Sequence, residues 1–273
     1  MSAESVEARP LPPPVPFLRA AKAVFDLSLE EMVWSRKSLV MAGLLLLPVA
    51  LAVLFRLVAN LKHAPAGIDL YGLVVAMYYL RNALPLASLF FATALIADEV
   101  EGRTITYLLS RPVSRASILC GKFAAYVVTG LTLTLPGIVA SFFLLVPIRG
   151  FAGLAAFVPD LLRDLGVAAL ALCAYGALFA LLGVLLKRPT IPGLVFLIGW
   201  ESLANLPGWL PRYTVTAWVR SLVRHRPVDE GLAELFQTTL PTGEAIVVLV
   251  AITILGLAGA YGIFSRKQFV LDQ

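Results

Sequence analysis

Charge is scarce in this sequence. Only 14% of its 273 residues are Asp, Glu, Lys or Arg, while 59% are hydrophobic. A soluble domain of that length cannot clothe its surface with so few charges, which excludes that class and leaves the membrane class. Cysteine is nearly absent as well. Cys120 and Cys173 form no CxxC and no metal-ligand spacing, so a disulfide framework and a zinc site are both excluded, and the two read as small apolar residues in helix packing. Histidine is limited to His63 and His225, both in segments predicted as outer loops. No signal-peptide layout opens the chain. A P-loop is missing too. The only Gly-Lys pair is Gly121-Lys122, with Ala116 where the first glycine of the motif belongs and Phe123 where Ser or Thr belongs. The net charge of +5 is read as Lys and Arg gathered on one side of a membrane rather than as a nucleic-acid surface.

What is present begins with a proline-rich arm. Residues 1–16 carry Pro10, Pro12, Pro13, Pro14 and Pro16 and read as disordered. From residue 17 the character changes. Phe17, Ala21, Val24, Phe25, Leu29 and Met32 share one helical face, and Arg19, Lys22, Asp26 and Glu30 share the other. Trp34, Arg36 and Lys37 follow, as expected for a helix lying in the membrane interface. Six apolar segments come next, at about 38–58, 75–97, 119–146, 165–186, 190–206 and 244–265, each compared with the ~20 helical residues needed to cross a bilayer core. The fifth is short and lies between Pro189 and Pro207; the third contains Pro136-Gly137, which predicts a kink.

Lys and Arg set the orientation. With the N-terminus inside, the inner segments hold 13 of them and the outer segments 8, four of the latter in one long outer loop. The prediction is therefore a multi-pass protein with six spans and both termini cytoplasmic.

That orientation places residues 98–122, DEVEGRTITYLLSRPVSRASILCGK, in a cytoplasmic loop between spans two and three. Asp98, Glu99 and Glu101 crowd the end of the second span. Ile105, Leu108 and Leu109 fall on one face of a short helix. The acidic cluster is expected at the N-terminal side of that helix, where the macrodipole favours negative charge. Pro112 should end it, and Ser114 can N-cap the helix that runs into the third span. The product is an amphipathic helix with one apolar face, suited to docking a soluble partner. A basic inner loop with incidental helicity is the other reading of the same residues.

The run Glu99, Glu101, Gly102, Thr104, Leu108-Leu109, Ser110, Pro112, Ser114-Arg115, Gly121-Lys122 resembles the signature of ABC-2-type transporter permeases. In the common form the glycine directly precedes the threonine; here Arg103 intervenes. The resemblance extends over about residues 17–267 and implies an all-α integral membrane protein. That protein would have six transmembrane helices, an N-terminal interfacial (elbow) helix, a cytoplasmic coupling helix between spans two and three, and an outer helical loop before span six. The implied organisation is a disordered arm over 1–16, a permease domain over 17–267 and a short tail over 268–273. The implied docking residues for an ATP-binding subunit are Glu99, Glu101, Gly102, Thr104, Ile105, Leu108, Leu109, Pro112 and Arg115. The implied partners are a cytoplasmic ABC ATP-binding subunit, a second permease chain, identical or not, and the lipid bilayer, with no nucleic acid. ATP and Mg would be held by the partner, and this chain would carry no cofactor of its own. The implied location is the cytoplasmic (inner) membrane, and the implied direction is export.

Arg81 and Glu201 are the ionisable residues nearest to being membrane-embedded, and such residues are functional candidates. At ~1.5 Å per residue they lie about 24 Å and about 18 Å above the inner edges of spans two and five. In the resembling family these spans are expected to face the translocation path. A salt bridge between the two is one arrangement; a later start to span two, with Arg81 snorkelling to the outer headgroups, is the other. In the outer loop 207–243, Val219, Leu222 and Val223 share a helical face, as do Leu232, Leu235 and Phe236, predicting short helices at the outer leaflet. An intramembrane enzyme would need a nucleophile or metal site in the spans. Glu30-Glu31 has no histidine partner, and Ser88, Ser141 and Ser202 have no evident base. A carrier working alone would want paired acids mid-span, where only Glu201 is available. A membrane assembly or regulatory protein that docks an ABC ATPase without transporting remains a separate reading.

Overall fold

A computed structural model describes residues 16–59, 67–101, 113–149, 154–206, 208–224 and 240–266. The arm over 1–15, the tail over 268–273, His63, His225 and the second predicted outer face (Leu232, Leu235, Phe236) lie outside these residues.

The described chain is helical. Helix α1 (Phe17–Val33) is followed by α2 (Arg36–Ala59). Next, α3 (Gly67–Leu73) passes through a π-helical stretch, Val74–Ala83, into α4 (Leu84–Glu101). Helix α5 (Arg115–Leu145) runs unbroken past Pro136. Helix α6 (Val158–Leu185) precedes α7 (Thr190–Val195), which continues as a π turn, Phe196–Trp200, and a 3₁₀ turn, Glu201–Asn205. A 3₁₀ turn at Leu210–Tyr213 leads to α8 (Val215–Leu222), and α9 (Thr242–Arg266) closes the order.

Five of these helices are long and apolar enough to cross a membrane: Arg36–Leu57, Gly67–Ile96, Arg115–Leu145, Leu154–Leu185 and Thr242–Arg266. The fifth predicted span is represented by a shorter apolar helix, Thr190–Ala204.

Two boundaries differ from the sequence reading. The second spanning helix starts at Gly67, eight residues before the expected 75. Asp69 and two glycines dilute the hydropathy of this turn. Yet Gly67 is seated against the end of α5, where a Cβ would lie 2.0 Å from the Leu145 carbonyl oxygen. No other residue fits that backbone contact. At its C-terminal end, helix α4 continues through Asp98, Glu99 and Glu101. The acidic cluster therefore stands at the end of α4, and the short helix expected after it lies outside the described residues. Between Pro85 and Gly102 the sequence contains no proline or glycine to stop α4.

Helix α6 is the hub, with its most extensive contacts to α4 and to α9. Its buried face is rich in small residues, among them Ala168, Ala171, Ala174, Ala177, Ala180 and Gly183. Small side chains let helix backbones approach, which is how helices associate in lipid. Gly183 marks the closest approach to α4: a Cβ there would sit 2.5 Å from the Thr93 carbonyl oxygen. Gly183→Ala is expected to force the two helices apart and lower stability by about 1–3 kcal/mol. Unfolding in detergent checks this, and an unchanged midpoint would show that the helices can separate without loss.

Helix α1 packs along α5. Ala20 and Ser28 are buried, Ala21, Val24, Phe25, Leu29 and Met32 are half-buried, and Arg19, Lys22, Asp26 and Glu30 are exposed. The amphipathic division of the sequence is thus reproduced, except that Phe17 is exposed.

Candidate functional site

Two regions hold the residues singled out from the sequence. The first is the N-terminal end of α5. Ser114 is the N-cap of that helix: its hydroxyl accepts the Ser117 N–H at 3.1 Å, as expected for serine before a helical run. The Ser117 hydroxyl donates to the Phe17 carbonyl at the start of α1, at 3.3 Å. Arg115 reaches the other end of the fold. Its guanidinium donates to the Phe264 and Ser265 carbonyls at 2.7 and 2.8 Å and lies 5.8 Å from the centre of the Phe264 ring. A cation at the last turn of α9 caps orphan carbonyls and opposes the negative end of the helix dipole. Arg115, expected as a docking residue, is thus a tie between the start of α5 and the end of α9. Arg115→Gln is expected to speed amide exchange in the last two turns of α9 by roughly tenfold, for a loss of about 1.4 kcal/mol. Hydrogen exchange read by mass spectrometry would show it; unchanged exchange there would mean the tie adds nothing. Of the other expected docking residues, Gly102, Thr104, Ile105, Leu108, Leu109 and Pro112 lie outside the described residues. Glu99 and Glu101 are placed only as helical backbone.

The second region is a cavity of about 420 Å³ midway along the spans, whose lining includes Arg81, Asn82, Leu86, Ile198, Glu201 and Arg220. The structure brings Arg81 and Glu201 to one cavity but does not join them. Glu201 is buried, 7% exposed, and its carboxylate is engaged elsewhere. One oxygen accepts the Val215 N–H at 3.2 Å. The other accepts the Thr216 N–H at 2.8 Å and the Tyr175 hydroxyl at 3.0 Å. Thr214, the N-cap of α8, accepts the Ala217 N–H at 3.3 Å. The first three backbone N–H groups of α8 are therefore all satisfied by side chains, and a carboxylate stands at the positive end of its dipole.

The opposite end of α8 is fixed as firmly. The Arg163 guanidinium donates to the Leu222 carbonyl at 2.7 Å, and Arg224 pairs with Asp160 at 3.3 Å. Asp160 and Arg163 belong to the first turns of α6, whereas Tyr175 stands near its middle. Helix α8 therefore runs from mid-bundle toward the N-terminal end of α6, with Val215, Thr216, Trp218, Val219, Ser221 and Leu222 buried. The helix and its apolar face match the sequence reading. The glutamate on the preceding segment draws its N-terminus inward.

Arg81 lies in the π-helical stretch, 14 residues from one end and 15 from the other of the Gly67–Ile96 helix. The helix extends beyond Arg81 by about 20 Å toward Gly67 and about 30 Å toward Glu101 at ~1.5 Å per residue. The sequence reading missed Tyr175, Arg163 and Arg220. A tyrosine inside an Ala/Leu run was the available signal for the first.

The geometry describes a helical membrane body with a polar cavity at its middle. The sequence matches the ABC-2 family transporter proteins over residues 20–269. The chain belongs to that family. No curated protein matches it. As an ABC-2 family member it is the membrane component of an ABC transporter, a multi-pass permease rather than itself an enzyme. Membership also implies partnership with an ABC ATP-binding subunit.

Proposed function

We propose that this permease exports its substrate across the cytoplasmic membrane, with ATP and Mg held by a separate subunit docked on the loop that follows the second span. The observation that carries this reading is the family match over 20–269. The acidic, Leu-Leu, Pro, Ser-Arg run between Glu99 and Arg115 supports the docking role. In this reading residues 17–267 are the permease domain and both termini are cytoplasmic. Helix α1 is an interfacial elbow, and a second permease chain completes the translocation path.

Six crossings fit the orientation, with Thr190–Ala204 as the fifth. Its 15 residues span about 22 Å at ~1.5 Å per residue, short of the ~30 Å core. Helix α8 completes the crossing. Arg81 and Glu201 belong to the translocation path in different capacities: Arg81 faces the cavity, and Glu201 positions α8 beside it.

The test is co-expression of the chain with candidate ATP-binding subunits, followed by reconstitution in liposomes. ATP-dependent movement of a substrate in one direction, with stimulated ATP hydrolysis, is the expected result. Stimulated hydrolysis without movement of any substrate would favour the docking-only alternative.

A further inference from the structure

We propose that α2 is hinged at Pro48 and that Tyr78 and Tyr79, on the π-helical stretch beside the cavity, form the latch that holds the half beyond the hinge against the body. The proposal concerns how the walls move and holds for any substrate.

Proline inside a helix removes one donor. In α2 the N–H missing at Pro48 would have gone to the Leu44 carbonyl, four residues back. The Tyr78 hydroxyl donates to that carbonyl instead, at 2.6 Å. The Tyr79 hydroxyl donates to the next one, that of Leu45, at 2.8 Å. Consecutive tyrosines thus serve consecutive carbonyls where proline breaks the α2 ladder. Their rings meet edge to face, with centroids 5.7 Å apart. Tyr79 is fully buried and Tyr78 half-buried.

Room for the latch comes from Gly137 on α5. A Cβ there would lie 2.5 Å from the Tyr79 hydroxyl oxygen and 3.1 Å from the Leu45 carbonyl oxygen. Helix α5 continues through Pro136-Gly137, and the use of that glycine is the space it leaves for a side chain from another helix. Packing on the two sides of Pro48 is unequal. Before it, Ser38, Met41 and Leu45 are buried. Beyond it, as far as Leu57, Ala52 alone is buried, while Leu51, Val53, Leu54, Phe55 and Leu57 are exposed. At the far end the Arg56 guanidinium donates to the Phe143 and Leu144 carbonyls of α5, at 3.3 and 3.1 Å.

A segment with one small buried side chain, held at both ends by polar contacts to carbonyls, has few contacts to break when it opens. Helices bend at proline, where the ladder already lacks a bond. In lipid the exposed side chains meet apolar surroundings in either position, so they do not oppose a swing. The latch is also tied to the cavity. Arg81 and Asn82 belong to the same π-helical stretch and line the cavity. The Asn82 side-chain amide donates to the Met77 carbonyl at 2.6 Å, so a cavity residue holds the turn that carries the tyrosines. π-Helical turns recur at functional sites. A ligand that displaces Asn82 would loosen this turn and release α2 beyond Pro48.

The experiment measures amide exchange by mass spectrometry on the full chain in detergent. Tyr78→Phe and Tyr79→Phe are each expected to speed exchange over residues 49–57 by roughly threefold to tenfold, the range of one hydrogen bond, with α6 unchanged. Pro48→Ala restores the missing donor, so adding Tyr78→Phe to it should have no effect over 49–57. Asn82→Ala should speed exchange over the same residues to a lesser extent. Spin labels report the swing itself. They are placed at two exposed positions through Leu54→Cys and Leu162→Cys, in a chain carrying Cys120→Ser and Cys173→Ala. One narrow distance is expected, broadened or split when Tyr78→Phe and Tyr79→Phe are combined.

Unchanged exchange over 49–57 in both tyrosine variants overturns the proposal. An equal rise over α6 would mean that the tyrosines support the body as a whole, and the hinge fails. An undiminished effect of Tyr78→Phe in the Pro48→Ala background also overturns it, because the hydroxyl would then not be replacing the missing donor. Raised exchange with an unchanged label distance would reduce the tyrosines to capping without a swing, and the proposal fails. So does its link to the cavity if Asn82→Ala leaves 49–57 unchanged. All these positions lie outside the 98–115 connection. The variants should retain the ATP-binding subunit like the wild type, so failure here leaves the subunit assignment standing.

Discussion

Leu108→Asp and Glu101→Lys are each expected to abolish retention of the ATP-binding subunit while leaving a folded membrane protein. Burying a leucine side chain at a contact is worth about 1.5–3 kcal/mol. Placing a carboxylate there adds an unpaired charge in a desolvated site. At ~1.4 kcal/mol per tenfold, the sum lowers affinity by two orders of magnitude or more. Glu101→Lys acts differently. It reverses a charge on the last turn of α4, where lysine favours the helix dipole. Any loss of retention therefore reflects a lost contact with the partner rather than an unwound helix. The membrane body should survive both changes, because neither residue belongs to the buried face of α6. Pull-down from detergent is the measurement, with Pro13→Ala as the unaffected control. Undiminished retention by both variants would falsify the docking role, and the loop would revert to a basic inner loop.

Glu201→Leu should be among the most damaging single changes in the chain. It leaves the Val215 and Thr216 N–H groups and the Tyr175 hydroxyl without their shared acceptor. Orphaned buried donors cost about 1–3 kcal/mol each, so a loss of the order of 3 kcal/mol or more is expected. Glu201→Gln retains one acceptor oxygen and the side-chain volume and should fall between the two. The order of unfolding midpoints in detergent, wild type above Gln above Leu, checks this. Since Arg81 and Glu201 are not paired, Arg81→Gln and Glu201→Gln should act additively on stability. Rescue of one by the other would restore the salt bridge that the geometry lacks. A Gln variant as unstable as the Leu variant would mean that charge, rather than acceptor capacity, holds α8 in place.

The contrast between these two sites shows what the sequence made legible. The amphipathic division of α1, the N-cap at Ser114 and the apolar face of Val219 and Leu222 all depend on residues within one or two helical turns of each other. Periodicity and capping rules reach that far. The long helices were readable for the same reason. The start of span two at Gly67 was not, because its helical state depends on a backbone contact with the end of α5 rather than on hydropathy. The fifth apolar segment was read as a span from composition, but its π and 3₁₀ turns were not foreseen. The Glu201 cluster gathers residues 175, 201 and 214–216 through tertiary packing alone. Sequence pointed to Glu201 by depth and offered Arg81 as one of two arrangements, since a helix N-terminus supplied by a later segment is invisible to a charge count. The tie from Arg115 to α9 was invisible for a similar reason, because its acceptors lie about 150 residues away.

That last contact has a practical consequence. Ser117 holds the first residue of α1, and Arg115 holds the closing turn of α9. The two ends of the helical body are therefore pinned two residues apart on one turn of α5. A short linker could join residue 266 to residue 17, and the chain could be reopened in an exposed connection elsewhere, giving a circular permutant with every span in its original place. The same convergence warns against bulky tags. A bulky domain joined close to Phe17 or Arg266 would crowd the first turn of α5, where both ends converge.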